Sequence, residues 1–182
     1  MKKLLSIPNL LILVIATLLY SCGDSQESKK KRMTVTTNSD EARDLFYEAI
    51  DVHQGLNWQR AENLLKSALA KDPNFVTAKA LLNSPFANLD RKILTDIHNN
   101  QLDKVSEMEA LYIKAWFQRV SGEWKESNET FKNLTTKYPD ISTFWLHSGI
   151  LKSNGGADIQ DAITDLNKAL EVDPNSYGAN AY

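Results

Sequence analysis

Residues 127–139 read SNETFKNLTTKYP: Ser127, Phe131 and Leu134 recur at the spacing of one helical face, and Pro139 ends the run. The same skeleton stands on either side of it. Ala61-x3-Leu65-x2-Ala68-Leu69-x3-Pro73 precedes it and Ala162-x3-Leu166-x2-Ala169-Leu170-x3-Pro174 follows. Pro73, Pro139 and Pro174 are 66 and 35 residues apart, which is two units and one unit of a period near 34 residues. A recurrence of this length implies stacked supersecondary units, each too small to bury its apolar face alone.

Upstream of each segment a second helix is expected. The small residues Ala49, Ala115 and Gly149 fall at equivalent places in it, Gly149 after allowing one inserted residue in the Asn154-Gly155-Gly156 loop. A small side chain there lets two antiparallel helices approach closely. Trp58, Trp124 and Ile159 open the second helices, each followed three residues on by Ala61, Ser127 or Ala162 on the same face. Ser106-Glu107-Met108-Glu109 is a capping box that starts a helix near 107, and Asn57 and Asp158 are N-caps for two others. Asp72-Pro73, Tyr138-Pro139 and Asp173-Pro174 mark helix ends, because the residue before proline is pushed out of the helical region. Between the first and second clear units, Phe75–Asn83 reads as a short helix broken at Ser84-Pro85. Phe86–Asn99, with Leu89, Ile93, Leu94 and Ile97, reads as a longer one. No stretch of useful length alternates as a strand would, so the fold class is all-α.

The pattern resembles the tetratricopeptide repeat (TPR) family, with a helix of the form W-x2-L-G-x2-Y followed by A-x3-F, a small residue and proline. The resemblance implies an α-α superhelix, a TPR solenoid of about three recognisable repeats (42–75, 107–141 and 142–176) plus one degenerate helix pair (76–106). It also implies that a protein or peptide partner lies in a concave groove lined by the first helix of each repeat. Carrying the family's groove positions over gives Arg43, Phe46, Tyr47, Ile50, His53 and Gln54; Glu109, Tyr112, Ile113, Trp116, Arg119 and Val120; and Thr143, Leu146, His147, Ile150, Ser153 and Asn154. Among these, Arg43, Tyr47, His53, Tyr112, Trp116, Arg119, His147 and Asn154 are the expected contacts, since such side chains bury much area while keeping a polar handle. The Lys/Asn/Lys/Arg clamp that some members use for an acidic peptide tail is not present at these positions.

The amino terminus reads as an address. Two lysines precede an apolar run from Leu10 to Leu19, too short for the roughly 20 residues that span a bilayer. Leu19-Tyr20-Ser21-Cys22 resembles the lipobox of bacterial lipoproteins, which implies that residues 1–21 are a signal peptide and that Cys22 is lipidated. A plain secretory signal is the other reading. Residues 22–38 lack apolar periodicity and are expected to be a flexible tether, its Lys29-Lys30-Lys31-Arg32 run solvated or touching anionic headgroups. Residues 39–182 are the repeat domain. After Pro174 the segment 177–182 resembles the start of another helix, and a solenoid needs a polar terminal cap, so the sequence reads as a truncated product or one whose end another subunit covers.

Of the 182 residues, 21 are Lys or Arg and 23 are Asp or Glu, a formal charge of −2 that gives no field to gather nucleic acid. The single Cys excludes an internal disulfide and a multi-cysteine zinc site. His53, His98 and His147 form no HExxH pair, and no phosphate-cradling glycine loop occurs. No metal, cofactor or catalytic role is therefore expected. What the sequence supports is a non-enzymatic, lipid-anchored interaction scaffold of the bacterial envelope, at the outer membrane. Two rivals are an outer-membrane assembly component and part of a glycan-capture lipoprotein.

Overall fold

The computed structural model describes residues 31–154 and 159–176. The chain divides into two compact units, 1–30 and 31–182, and the description concerns the second. The signal segment, Cys22, the Gly155-Gly156 loop, Asp158 and the segment 177–182 lie outside the described residues.

Among the described residues eight α-helices follow in order: α1 (Asp40–Gln54), α2 (Trp58–Lys71), α3 (Val76–Leu82), α4 (Arg91–Asn100), α5 (Glu107–Ser121), α6 (Trp124–Lys137), α7 (Ser142–Asn154) and α8 (Ile159–Val172), with a 3₁₀ turn at Leu102–Lys104. Among the described residues there is no strand. The closest pairings are α1 with α2, α5 with α6 and α7 with α8, and α6 also packs on α7. The architecture is consistent with an α-α superhelix built of helical hairpins.

Local chemistry sets the boundaries. Ser39, Asn57, Asp90 and Ser106 accept backbone N–H groups at the starts of α1, α2, α4 and α5. At α5 the capping box closes on both sides. Helices α2, α6 and α8 end at Lys71, Lys137 and Val172, two residues before each proline. Gly122, at φ 82°, supplies the left-handed turn after α5.

The small positions are where the hairpins close. Ala49 and Ala115 are fully buried. A Cβ on Gly149 would lie 2.7 Å from Leu166 Cγ and 3.1 Å from the Ala162 carbonyl oxygen, so only glycine fits between α7 and α8. Polar stitches bind the same hairpins: Ser127 Oγ donates to the Ala115 carbonyl at 2.9 Å and Thr130 Oγ1 to Gln118 Oε1 at 2.7 Å. Asp165, buried on α8, accepts from Ser148 at 2.5 Å and pairs with Lys152 at 2.6 Å.

Two expectations are corrected. Residues 31–38 do not extend away as tether; they lie against the helices without regular secondary structure. Met33 and Val35 are buried in the main apolar core with Phe46, Phe75 and Tyr112. Arg32 grips Asp51 at 2.7 and 3.2 Å, and the Tyr47 hydroxyl donates to the Met33 carbonyl at 2.9 Å. Lys31 pairs with Asp140. The second correction concerns residues 86–90, which are turn rather than helix. Asp90 caps α4 through the N–H groups of Lys92 and Ile93, leaving Leu89 exposed and Phe86 buried in the core.

Glu109 ties these parts together. It is fully buried and accepts five hydrogen bonds: from Thr36 N and Oγ1 at 2.8 and 2.6 Å, Thr77 Oγ1 at 2.6 Å, and Ser106 N and Oγ at 3.0 and 2.8 Å. One carboxylate thus joins the amino-terminal segment, α3 and α5. Asp72 plays a smaller version of the same part, accepting from Thr37 Oγ1 at 2.6 Å and Asn38 N at 3.2 Å. The Thr37 hydroxyl, foremost, holds its carboxyl below the ordinary value.

Candidate functional site

The first helices of the hairpins do not leave an open channel along their length. Phe46, Ile50, Gln54, Tyr112, Ile113, Leu146 and His147 are buried. Ile113 packs against α3 and α4, Leu146 against α8, and Tyr112 against Phe144 and His147 of α7. Helix α1 reaches α7 through Gln54 Nε2, which donates to Thr143 Oγ1 at 3.3 Å, and through the His53 and His147 rings, which meet edge-on at 6.2 Å. Tyr112 and His147, expected as exposed groove contacts, therefore form part of the interior. The Tyr112 hydroxyl and His147 Nδ1 are 2.9 Å apart and the two rings lie nearly parallel. Trp116, also largely buried, meets the His147 ring at 5.3 Å.

What stays open is a pocket of about 300 Å³ where the carboxyl-terminal turns of α1, α5 and α7 converge. His53, Trp116, Arg119, His147 and Asn154 line it, five of the eight residues expected from the sequence. The other three lie elsewhere. Arg43 pairs with Asp40 at 2.5 Å at the start of α1, Tyr47 is engaged by the amino-terminal segment, and Tyr112 sits behind His147.

Gln54, Leu146 and Ile150, also groove positions, line the pocket, and the rest of its wall is apolar and comes from Leu56, Trp58, Pro85 and Leu151, which the groove positions do not cover. Leu56, in the α1–α2 turn, adopts a left-handed backbone at φ 61°, which is costly for a branched side chain, and is 52% exposed. Trp58 opens α2 and is 61% exposed, while Ala61, one turn on, is fully buried. Pro85, Leu146, Ile150 and Leu151 complete the lining. Trp58 was legible as a repeated aromatic, but not as a rim residue; the Leu56 conformation has no sequence signal, since the adjacent glycine, Gly55, invites the turn instead.

The electrostatics are one-sided. Burial holds both imidazoles neutral, His53 with its pKa lowered to about 4 and His147 to about 3, the latter helped by the neighbouring His53. His53 stacks on Phe86 with ring centroids 3.6 Å apart. Arg119 lays its guanidinium over the Trp124 ring at 3.6 Å. No Asp or Glu is among the described lining residues. Elsewhere, no group of three or more His, Cys, Asp or Glu among the described residues is placed to hold a metal ion. No helix among them is long and apolar enough to cross a membrane.

Residues 109–140, covering α5 from Glu109 through α6 to Asp140, match the family model of the tetratricopeptide repeat. No curated protein and no solved structure matches the chain. The family match falls on the α5–α6 hairpin and supports a tetratricopeptide repeat there, and the all-helical described residues are consistent with an α-α superhelix.

Proposed function

We propose that the chain is a non-enzymatic scaffold that holds a protein partner at the bacterial outer membrane, anchored there by lipid on Cys22. Tetratricopeptide-repeat domains generally bind protein partners. The observation that carries the reading here is the exposed Leu56–Trp58 corner on such an array, an apolar rim with a large aromatic of the kind that anchors interfaces. The anchoring rests on Leu19-Tyr20-Ser21-Cys22. Because the chain is docked from Lys31 onward, nine peptide steps separate it from Cys22, a reach of about 30 Å at full extension. The domain would then work close to the headgroups, and its partner would be one that comes near that surface.

A photo-crosslinking residue at Trp58, compared with one at exposed Glu129 on α6, tests the interface in cells. A discrete adduct at 58 that is absent at 129 is expected; identical patterns at both would refute the interface. Palmitate incorporation that persists after Cys22→Ala would refute the anchor.

A further inference from the structure

Three polar atoms on side chains that line the pocket have no hydrogen-bond partner: His147 Nε2, on a side chain only 2% exposed, Trp116 Nε1 and Arg119 Nη1. Buried polar atoms without partners are few in folded proteins, and each costs about 1–3 kcal/mol. Here the three belong to side chains that line one cavity. The guanidinium lies over the Trp124 ring, and no carboxylate is among the described lining residues.

The chemistry of a matching ligand follows from the walls. Leu56, Pro85, Ile150 and Trp58 ask for an apolar body, and the strained backbone of Leu56 places one of these walls. The volume, about 300 Å³, is at the small end for ligand pockets and accommodates one or two rings. Arg119 asks for an anion, and its planar fork suits a carboxylate. Burial keeps the Tyr112 hydroxyl protonated by raising its pKa, so it can donate to His147 Nδ1. In the tautomer that accepts at Nδ1, the neutral imidazole carries its own proton on Nε2, which is then a second donor.

We propose that this pocket is a binding site for a small apolar carboxylic acid, its carboxylate held by Arg119 and His147 and its ring or branched body against Leu56, Pro85 and Ile150. The site shares Leu56 and Trp58 with the partner interface proposed above but rests on the buried polar atoms of Arg119 and His147, so small-molecule binding and the crosslink at Trp58 fail separately. The same chemistry exists at the last residue of a peptide, and the experiment separates the two sources.

Isothermal titration of the full chain with 1-naphthylacetate, its neutral amide and a tetrapeptide ending in tryptophan is the test. The acid is expected to bind about tenfold or more tighter than the amide, the difference a charge-assisted pair supplies. Arg119→Gln should bring the acid down to the amide's affinity and leave the amide unchanged, while Arg119→Lys should recover part of the loss. His147→Asn should weaken the acid as well, with a thermal midpoint measured alongside to exclude unfolding. Equal binding of acid and amide, or an acid affinity untouched by Arg119→Gln, would overturn the proposal. So would binding of the peptide without binding of the acid, which would assign the site to a chain terminus.

Discussion

Helix α5 carries a buried polar centre near each end, and the two are opposites. Near its amino terminus Glu109 is enclosed by five donors from three segments. Toward its carboxyl terminus Arg119, with His147 across from it on α7, leaves polar atoms without partners at the edge of a cavity. A satisfied network inside a fold is bought by structure alone, whereas an unsatisfied one beside open space is a place where something else completes the bonding. The difference separates what holds the protein together from what it offers to another molecule.

Removing each centre in turn tests that division. Glu109→Ala strands the buried Thr77 hydroxyl and frees the Thr36 segment from its anchor, and should cost about 3–4 kcal/mol in urea denaturation. A loss below about 1 kcal/mol would break the comparison by making Glu109 incidental. Gly149→Ala calibrates that figure with a purely steric change. Its new methyl meets Leu166 at 2.7 Å and should cost about 2–3 kcal/mol by the same measurement.

A titration sharpens the contrast further. The native His147 pKa, near 3, lies below its ordinary 6.5 because burial disfavours the charged ring. Between those values the unfolded chain binds a proton that the folded chain refuses, so stability falls as pH drops through the window. From pH 7.5 to pH 5 the His147 share of that loss is about 2 kcal/mol. His53 adds a loss of the same sign. Urea midpoints at the two pH values should converge in His147→Phe relative to wild type; an unchanged difference would place the ring in contact with water. The smallest effect belongs to Arg119→Gln, which forfeits its contact with Trp124 and should cost about 0.5–1 kcal/mol.

Much of this was legible in the sequence. The recurring prolines, the capping box at Ser106 and the small residue at Gly149 each encode a local requirement: a helix end, a helix start, a close crossing. Residues 31–38 were misread for the converse reason. Thr36 and Thr37 have ordinary polar side chains, and only partners 73 and 35 residues away turn them into anchors. The site was legible by residue but not by exposure. Family register singled out His53, Trp116, Arg119, His147 and Asn154, yet it could not register that Phe144 and His147 of α7 close over Tyr112. Leu56 escaped because a left-handed leucine is set by the turn's surroundings, not by its own preference.

The division between the two centres of α5 is tested most directly by thermal midpoints of wild type, Glu109→Gln and Arg119→Gln with and without 1-naphthylacetate. At a ligand concentration about ten times the dissociation constant, wild type should gain about 1.4 kcal/mol, a rise of a few degrees. Glu109→Gln should start well below wild type and show the same rise, while Arg119→Gln should start near wild type and show little or none. A rise in Arg119→Gln equal to that of wild type, or a starting midpoint as low as that of Glu109→Gln, would contradict it.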